Sequence, residues 1–438
     1  MDYRGGKRSS ISFGSYQRPM EQFQNAGGGI YQRQSPMLYH PRSLEVGAPH
    51  AYCADLPSPQ FAVDWDACDR VAIGSYKEDA FNKLTVLQAT PDLSHWDSVA
   101  QASVIYPLSK IQWMPKGTGK LATCSDSLRI WSVEEQLHEQ LNLSLVKYGK
   151  SLGEVSNGRM LGQLPPVTSF DWNALDTNLI LSSSIDTTCT VWDLQASNYV
   201  KTQLIAHDSE VFDAKFLTQS SNLFASCGGD GSVRVFDLRC LAHSTIIYEP
   251  QQQVQGQTPS QTQVHTLAAH EQDGQLQKNS QSSALSSSAS SSLGALDNCA
   301  LLRLEPSPFD PNILATIQQD SNVVIILDMR YPGSPMLLLE GHAAPVNQLK
   351  WHPSKPNVLA TCGDDCQILY WDLLELLSAS QVWTGLTQQR WSTTSTVRTL
   401  ETPQMSYTAQ YEVNNFVWRP SGDWIGYTAG KRFYNIRM

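Results

Sequence analysis

Along most of this chain apolar and polar positions alternate in short runs, with Val233 and Val235 set against Ser232 and Arg234 as the clearest case. A period of two is that of a half-buried β-strand. Three segments repeat one pattern: residues 181–195 (LSSSIDTTCTVWDLQ), 224–239 (FASCGGDGSVRVFDLR) and 359–374 (LATCGDDCQILYWDLL). Each runs from apolar residues and a small hydroxyl through an Asp in a tight turn to alternating β-formers, then to Trp or Phe followed by Asp. Gly228-Gly229-Asp230-Gly231 supplies the chain reversal in the second copy. Two strands and a turn cannot bury both faces, so neighbouring units must pack side by side around an axis. A repeat of about 40–45 residues closing on Trp-Asp predicts a β-propeller built of WD repeats.

Weaker copies complete the ring: 61–89, 121–133 after Ile111-Gln112-Trp113, 314–330 after Leu301-Leu302-Arg303-Leu304, and 413–418 with 424–437. The predicted fold is all-β, a propeller of seven blades over residues 47–438. A closed ring must join its ends, so residues 48–54 are expected to form the outer strand of the last blade and remove an exposed edge.

The strong copies predict buried polar sets. In the sixth blade His342, Thr361, Asp365 and Trp371 match the tetrad of WD-repeat proteins, the indole donating to the hydroxyl, the hydroxyl reaching His and Asp holding the His. A buried donor left unpaired costs about 1–3 kcal/mol, so the set holds together or fails together. In the fourth, His207, Ser226 and Asp230 fit, but Phe236 cannot donate. The third keeps Ser182, Asp186 and Trp192 and lacks the His. Trp65, Trp113, Trp172, Trp351 and Trp418 recur at one strand position and read as core between blades.

Composition narrows the classes. A formal charge of −10 argues against direct binding of nucleic acid, which asks for a basic footprint. No run of about 18 apolar residues is present for a membrane span, and no apolar core follows the N-terminal charges as a secretory signal requires. The nine cysteines fall on strand positions such as Cys189 and Cys227 without a CxxC pair, as expected of reduced thiols in cytosol or nucleus. Two stretches stand apart from the ring. Residues 1–46, rich in Gly, Ser, Gln and Arg, read as a disordered basic arm; residues 250–298, rich in Gln and Ser, read as a low-complexity insertion too poor in apolar residues to order itself. A shorter excursion, 381–405, is expected between blades six and seven and carries Trp383 and Trp391.

Several runs are not demanded by propeller geometry: KTQLIAHD (201–208), SSIDTTCT (183–190), GDGSVR before FDLR, LAHSTIIYE (241–249), EVNNFVW (412–418) and DWI (423–425). On these runs the chain closely resembles the family of plant TRANSPARENT TESTA GLABRA and petunia anthocyanin regulators, whose animal members are WD-repeat scaffolds associated with cullin-RING ligases. The resemblance covers nearly all seven blades and departs in the arm, the insertion and the Trp-containing excursion. It implies a non-catalytic adaptor in nucleus and cytoplasm. Its expected partners are a protein kinase of the dual-specificity tyrosine-regulated type and transcription factors of the bHLH and MYB classes.

Catalytic and metal chemistry fit the sequence less well. His207 and His342 lie near Asp and hydroxyl residues, but each occupies the repeated Ala-His or Gly-His position of the fold rather than a catalytic triad. No GxSxG, HExxH or phosphate-cradling loop occurs, and Cys362 with Cys366 lacks two further zinc ligands, so no cofactor or metal is expected. An absence of polar residues on the central channel would exclude an enzyme. FDLR, with Asp237 and Arg239, and LDMR, with Asp328 and Arg330, look like the WDxR-type box by which some WD-repeat proteins dock on the cullin-RING ligase adaptor; the alternative is a solvated turn with a local ion pair. Lys201, Gln203 and Glu249, in the family-specific runs, are candidates for the partner surface, and Trp383, Trp391 and Tyr411 for interface anchors.

Overall fold

In the computed structural model, which describes residues 51–78, 81–117, 119–143, 166–250, 300–381 and 397–438, strand alternation closes into seven sheets, antiparallel but for one added strand. The blades in order are β2–β5 (from Gln60–Trp65 to Trp96–Val104), β6–β9 (Lys110–Trp113 to Leu137–Leu143), β10–β13 (Val167–Trp172 to Val200–Ile205) and β14–β17 (Val211–Phe216 to Cys240–Tyr248). Then come β18–β21 (Leu301–Pro306 to Leu337–Leu339), β22–β24 (Val346–Trp351 to Gln367–Asp372) with β26 (Met405–Thr408), and β27–β29 (Asn415–Trp418 to Arg432–Arg437) with β1 (Tyr52–Asp55). The first strand thus closes the last blade, as the edge argument requires: Tyr52 faces Asn435 and Asp55 faces Arg432. Asn435 also accepts the Trp96 indole at 2.9 Å and donates to Leu93 O at 3.1 Å, tying blade seven to blade one.

Apolar clusters fill the gaps between neighbouring blades rather than the axis. Each of the five recurring tryptophans sits in such a cluster with residues of the preceding blade, Trp113 with Leu84 and Val86, Trp351 with Ile313 and Leu337, Trp418 with Ile368 and Tyr370. Three also donate backwards, Trp113 Nε1 to Asp64 O (3.2 Å), Trp351 to Glu305 O (2.9 Å) and Trp418 to Lys350 O (3.3 Å).

The expected excursion is placed differently. It interrupts blade six between its third and fourth strands, because β26, not a strand before residue 381, pairs with β24. It begins as a helix, α1 (Leu374–Gln381), whose Leu377 packs into the core between blades five and six, and it contributes β25 (Arg398–Leu400). β25 lies parallel to β21 and gives blade five a fifth strand. Neither element was expected from the sequence. Trp383 and Trp391, the basic arm and the Gln/Ser insertion lie outside the described residues.

Candidate functional site

Because every blade is an antiparallel meander, links between blades and second-to-third turns emerge at one end of the ring, and the other turns at the opposite end. At the first end stand the polar sets. In blade six the indole Nε1–H of Trp371 donates to Thr361 Oγ1 (3.0 Å), so the Thr361 hydroxyl hydrogen is left for His342 Nε2 (2.7 Å). The other ring nitrogen, carrying the proton, then faces Asp365 at 2.9 Å. Asp365 also takes the amides of Ala343 (2.9 Å) and Gln367 (3.1 Å), pinning the inter-blade link to the turn. Burial pushes its carboxyl up, but these bonds and His342 hold it below the usual carboxylate range.

Blade four has the same His: His207 Nε2 meets Ser226 Oγ at 2.7 Å and Nδ1 meets Asp230 at 3.0 Å. Phe236 stacks instead on Phe224, ring centroids 5.0 Å apart, and Arg234 adds an ion pair to Asp230 (3.2 Å) and Asp208 (2.8 Å). Blade three holds the Trp192–Ser182 bond at 2.8 Å, but its Asp186 is not brought to that pair; it caps its own turn through Thr188 Oγ1 at 2.7 Å. Blade two carries a further pair that the sequence reading passed over, Trp131 Nε1 to Thr123 Oγ1 at 2.9 Å. Its signal was visible as LATCSDSLRIW, which has a Thr and a Trp like blade six but eight positions apart instead of ten, the turn between the strands being two residues shorter.

At the opposite end stand the two Asp-x-Arg turns, built alike. Arg239 grips Asp237 through Nε (2.8 Å) and Nη2 (2.6 Å), and Arg330 grips Asp328 in the same way (2.8 and 2.7 Å). Their surroundings differ. Arg239 is 69% exposed and its bonds hold the Asp237 carboxyl down at about 2, whereas Asp328 is buried at 3% beneath Arg330. Arg330 also borders a cleft of about 480 Å³ between blades five and six, with Phe309, Asp310, Met336 and Leu377 in its walls.

Lys201 and Gln203 are exposed on β13, the outer strand of blade three, beside Ile205, and Gln203 reaches Thr188 Oγ1 at 3.3 Å. Glu249 is exposed just beyond β17 of blade four, so the structure puts these three candidates on neighbouring blades. Tyr411 is exposed on the link between blades six and seven. The channel is not apolar: charged and amide side chains of the inner strands converge on it, so the absence that would have excluded an enzyme is not found. Among the described residues no group of His, Cys, Asp and Glu is arranged to hold a metal, and no helix is long and apolar enough to cross a membrane.

Seven antiparallel four-stranded units closed into a ring, one of them extended by β25, with a His-to-Asp bond in blades four and six and a Trp-to-hydroxyl bond in blades two, three and six, define a WD-repeat propeller. The model of the WD domain, G-beta repeat, matches residues 158–193, 198–237 and 333–372. The chain belongs to the WD-repeat family: it is 44% identical to a WD repeat-containing protein of Saccharomyces cerevisiae over 100% of this chain and 99% of that protein. It is also 37% identical to the DDB1- and CUL4-associated factor 7 homolog of Dictyostelium discoideum, over 81% of this chain and 87% of that one. A chain in the crystal structure of the mitotic checkpoint complex shares the fold, with a TM-score of 0.57 at 14% identity over 96% of this chain and 99% of that chain. The family is that of a protein-interaction propeller, typically a non-catalytic scaffold, and the Dictyostelium relative's name links that relative to a cullin-RING ligase.

Proposed function

We propose that this protein is a non-catalytic scaffold that holds a kinase of the dual-specificity tyrosine-regulated type, transcription factors of the bHLH and MYB classes, or both, on one rigid ring in nucleus and cytoplasm. The observation that carries the scaffold reading is the ring itself, closed by β1 on β29 and cross-tied between blades, which presents loops at two ends without a hinge between them. The named partners rest on the family-specific runs. The test is affinity purification of the intact protein from its own cells with identification of bound chains. A kinase or transcription factor should be recovered from wild type and lost on joint substitution of Lys201, Gln203 and Glu249, with the melting temperature moved by no more than about 1–2 °C, as surface changes usually allow. Recovery of every partner by the triple variant would move the binding surface elsewhere.

A second reading, a substrate receptor of a cullin-RING ubiquitin ligase, is favoured by the Dictyostelium relative's name and by the paired Asp-x-Arg turns at one end of the ring. Arg330, beside an open cleft lined by both polar and apolar side chains, Asp310 and Asn312 with Phe309 and Met336, is the better placed of the two. Copurification of the ligase adaptor should fall with Arg330→Ala and less with Arg239→Ala. Recovery of the adaptor unchanged by both substitutions together would sink the docking role of these turns.

A further inference from the structure

The inner strands place their channel residues in two rungs. The register aligns Lys110, Ser169, Asp213, Arg303, Gln348 and Asn415 of blades two to seven at one level, opposite Cys124, Ser183, Cys227, Ile317, Cys362 and Thr428, with Ala62 of blade one level with them opposite Gly74. Two residues further along lie Asp64, Gln112, Asp171, Lys215, Glu305 and Lys350. The level of Lys110 is the one nearer the end that carries the His sets, because it faces the strand residues just before the turn aspartates.

The second rung is internally matched. Lys215 and Lys350 both bond Glu305 Oε1, at 2.8 and 3.0 Å, while Asp64 and Asp171 accept the main-chain amides of Trp113 (2.6 Å) and Phe216 (3.0 Å) of the next blade. The first rung is not. Its carboxylate, Asp213, is taken up by Ser169 Oγ and by the amides of Ala214 and Leu304, at 2.6, 3.0 and 3.0 Å. Among the described residues Lys110 has only neutral acceptors, Ser169 Oγ (3.3 Å) and Phe170 O (2.5 Å), and Arg303 bonds the main-chain oxygen of Leu302 at 2.8 Å. Among the described residues neither cation has a carboxylate within ion-pair distance, and both border one axial cavity of about 30 Å³ together with Ser109, Thr168, Gln348 and Asn415. That is room for about two waters, or for one compact anion.

Four cations, Lys110, Lys215, Arg303 and Lys350, line this cavity against two carboxylates, Asp213 and Glu305. Burial and the neighbouring charges of Lys215 and Lys350 outweigh the pull of Asp213 and Asp171 and bring Lys110 down to about 8. We propose that the first rung is an anion site, taking one compact inorganic oxyanion of the sulfate or phosphate kind between the Lys110 ammonium and the Arg303 guanidinium. Such an anion supplies both cations with the charged acceptor that the protein withholds, and four polar side chains supply further contacts.

Sulfate is the probe, since it does not titrate between pH 6 and 10. Calorimetric titration of the full-length protein at constant ionic strength in potassium chloride should show saturable binding at one site. Affinity should fall at least tenfold in Lys110→Met and in Arg303→Met, with circular dichroism unchanged. A general salting effect on stability would persist in both variants, which separates it from binding. If either variant does not fold, wild type alone decides: the anion favours charged Lys110, so affinity must decline as pH rises through about 8. Absence of saturable binding, equal affinity in a folded Lys110→Met variant, or a flat pH profile in wild type would each overturn the site.

Discussion

Blades four and six carry the same buried His, hydroxyl and Asp, yet differ at the strand position that completes the set, Phe236 in one and Trp371 in the other. The cause lies one residue before the His. A methyl group on Gly341 would come within 2.6 Å of Trp371 Cη2, so the indole fits only because that residue is Gly. Blade four has buried Ala206 at the same place, before His207, and the smaller Phe236 ring. Between these two blades donor and glycine therefore change together: the Trp371 indole needs the space over Gly341, and blade four, with Ala206 there, has the smaller ring without a donor. Blade four offsets this loss outside the set, through Arg234 on Asp230, where blade six has Leu369 facing Thr361.

The largest effect should come from removing the shared hydroxyl. Thr361→Val strands both the Trp371 N–H and His342 Nε2, costing about 2–4 kcal/mol, while Ser226→Ala strands only His207 and costs about 1–3. Denaturant unfolding measures both, and equal losses would erase the distinction between the blades. Next is the steric coupling. Gly341→Ala and Trp371→Phe should each cost about 1–3 kcal/mol, by overpacking and by loss of the donor, but the double variant should cost less than their sum. A double-mutant cycle with no coupling would show that the glycine and the indole are independent.

Acid then tests the carboxylates. Asp365 and Asp230 are both held below the unfolded value by their His partners despite burial. A depressed pKa gives stability that is present above about pH 4, the unfolded value, and is lost as pH falls through the folded one. Wild type should therefore lose stability below about pH 4, and Asp365→Asn and Asp230→Asn should each make that decline shallower. Slopes identical to wild type would remove these carboxylates from the acid response. The smallest effect belongs to Arg234→Leu, which copies blade six. Asp208, one of its partners, is 84% exposed, so the loss should stay near 0–1 kcal/mol; a larger one would make the arginine a working replacement for the indole.

The strong blades were legible because a buried polar set constrains residue types strongly: only an N–H donor, a hydroxyl, an imidazole and a carboxylate at fixed spacing satisfy one another. Asp186 was misread for the same reason, since without a His nothing draws it from its own turn to Ser182. The blade-six excursion was misplaced because β26 is four residues long and Met-Ser-Tyr-Thr carries no Trp-Asp signature. A three-residue strand such as β25 has no periodicity to read at all.

By itself the sequence determined the repeat, the number of blades, the closure by the N-terminal strand and the polar sets of blades four and six, because each follows from short-range alternation or from residues whose hydrogen bonds must be matched when buried. The tertiary structure alone decided which strand ends which blade, which Asp-x-Arg turn borders a cleft, and which charges meet on the axis. Lys110 and Arg303 lie 193 positions apart in the chain. They share a cavity only because seven inner strands converge there, and no local pattern records a neighbour that arrives by closing a ring.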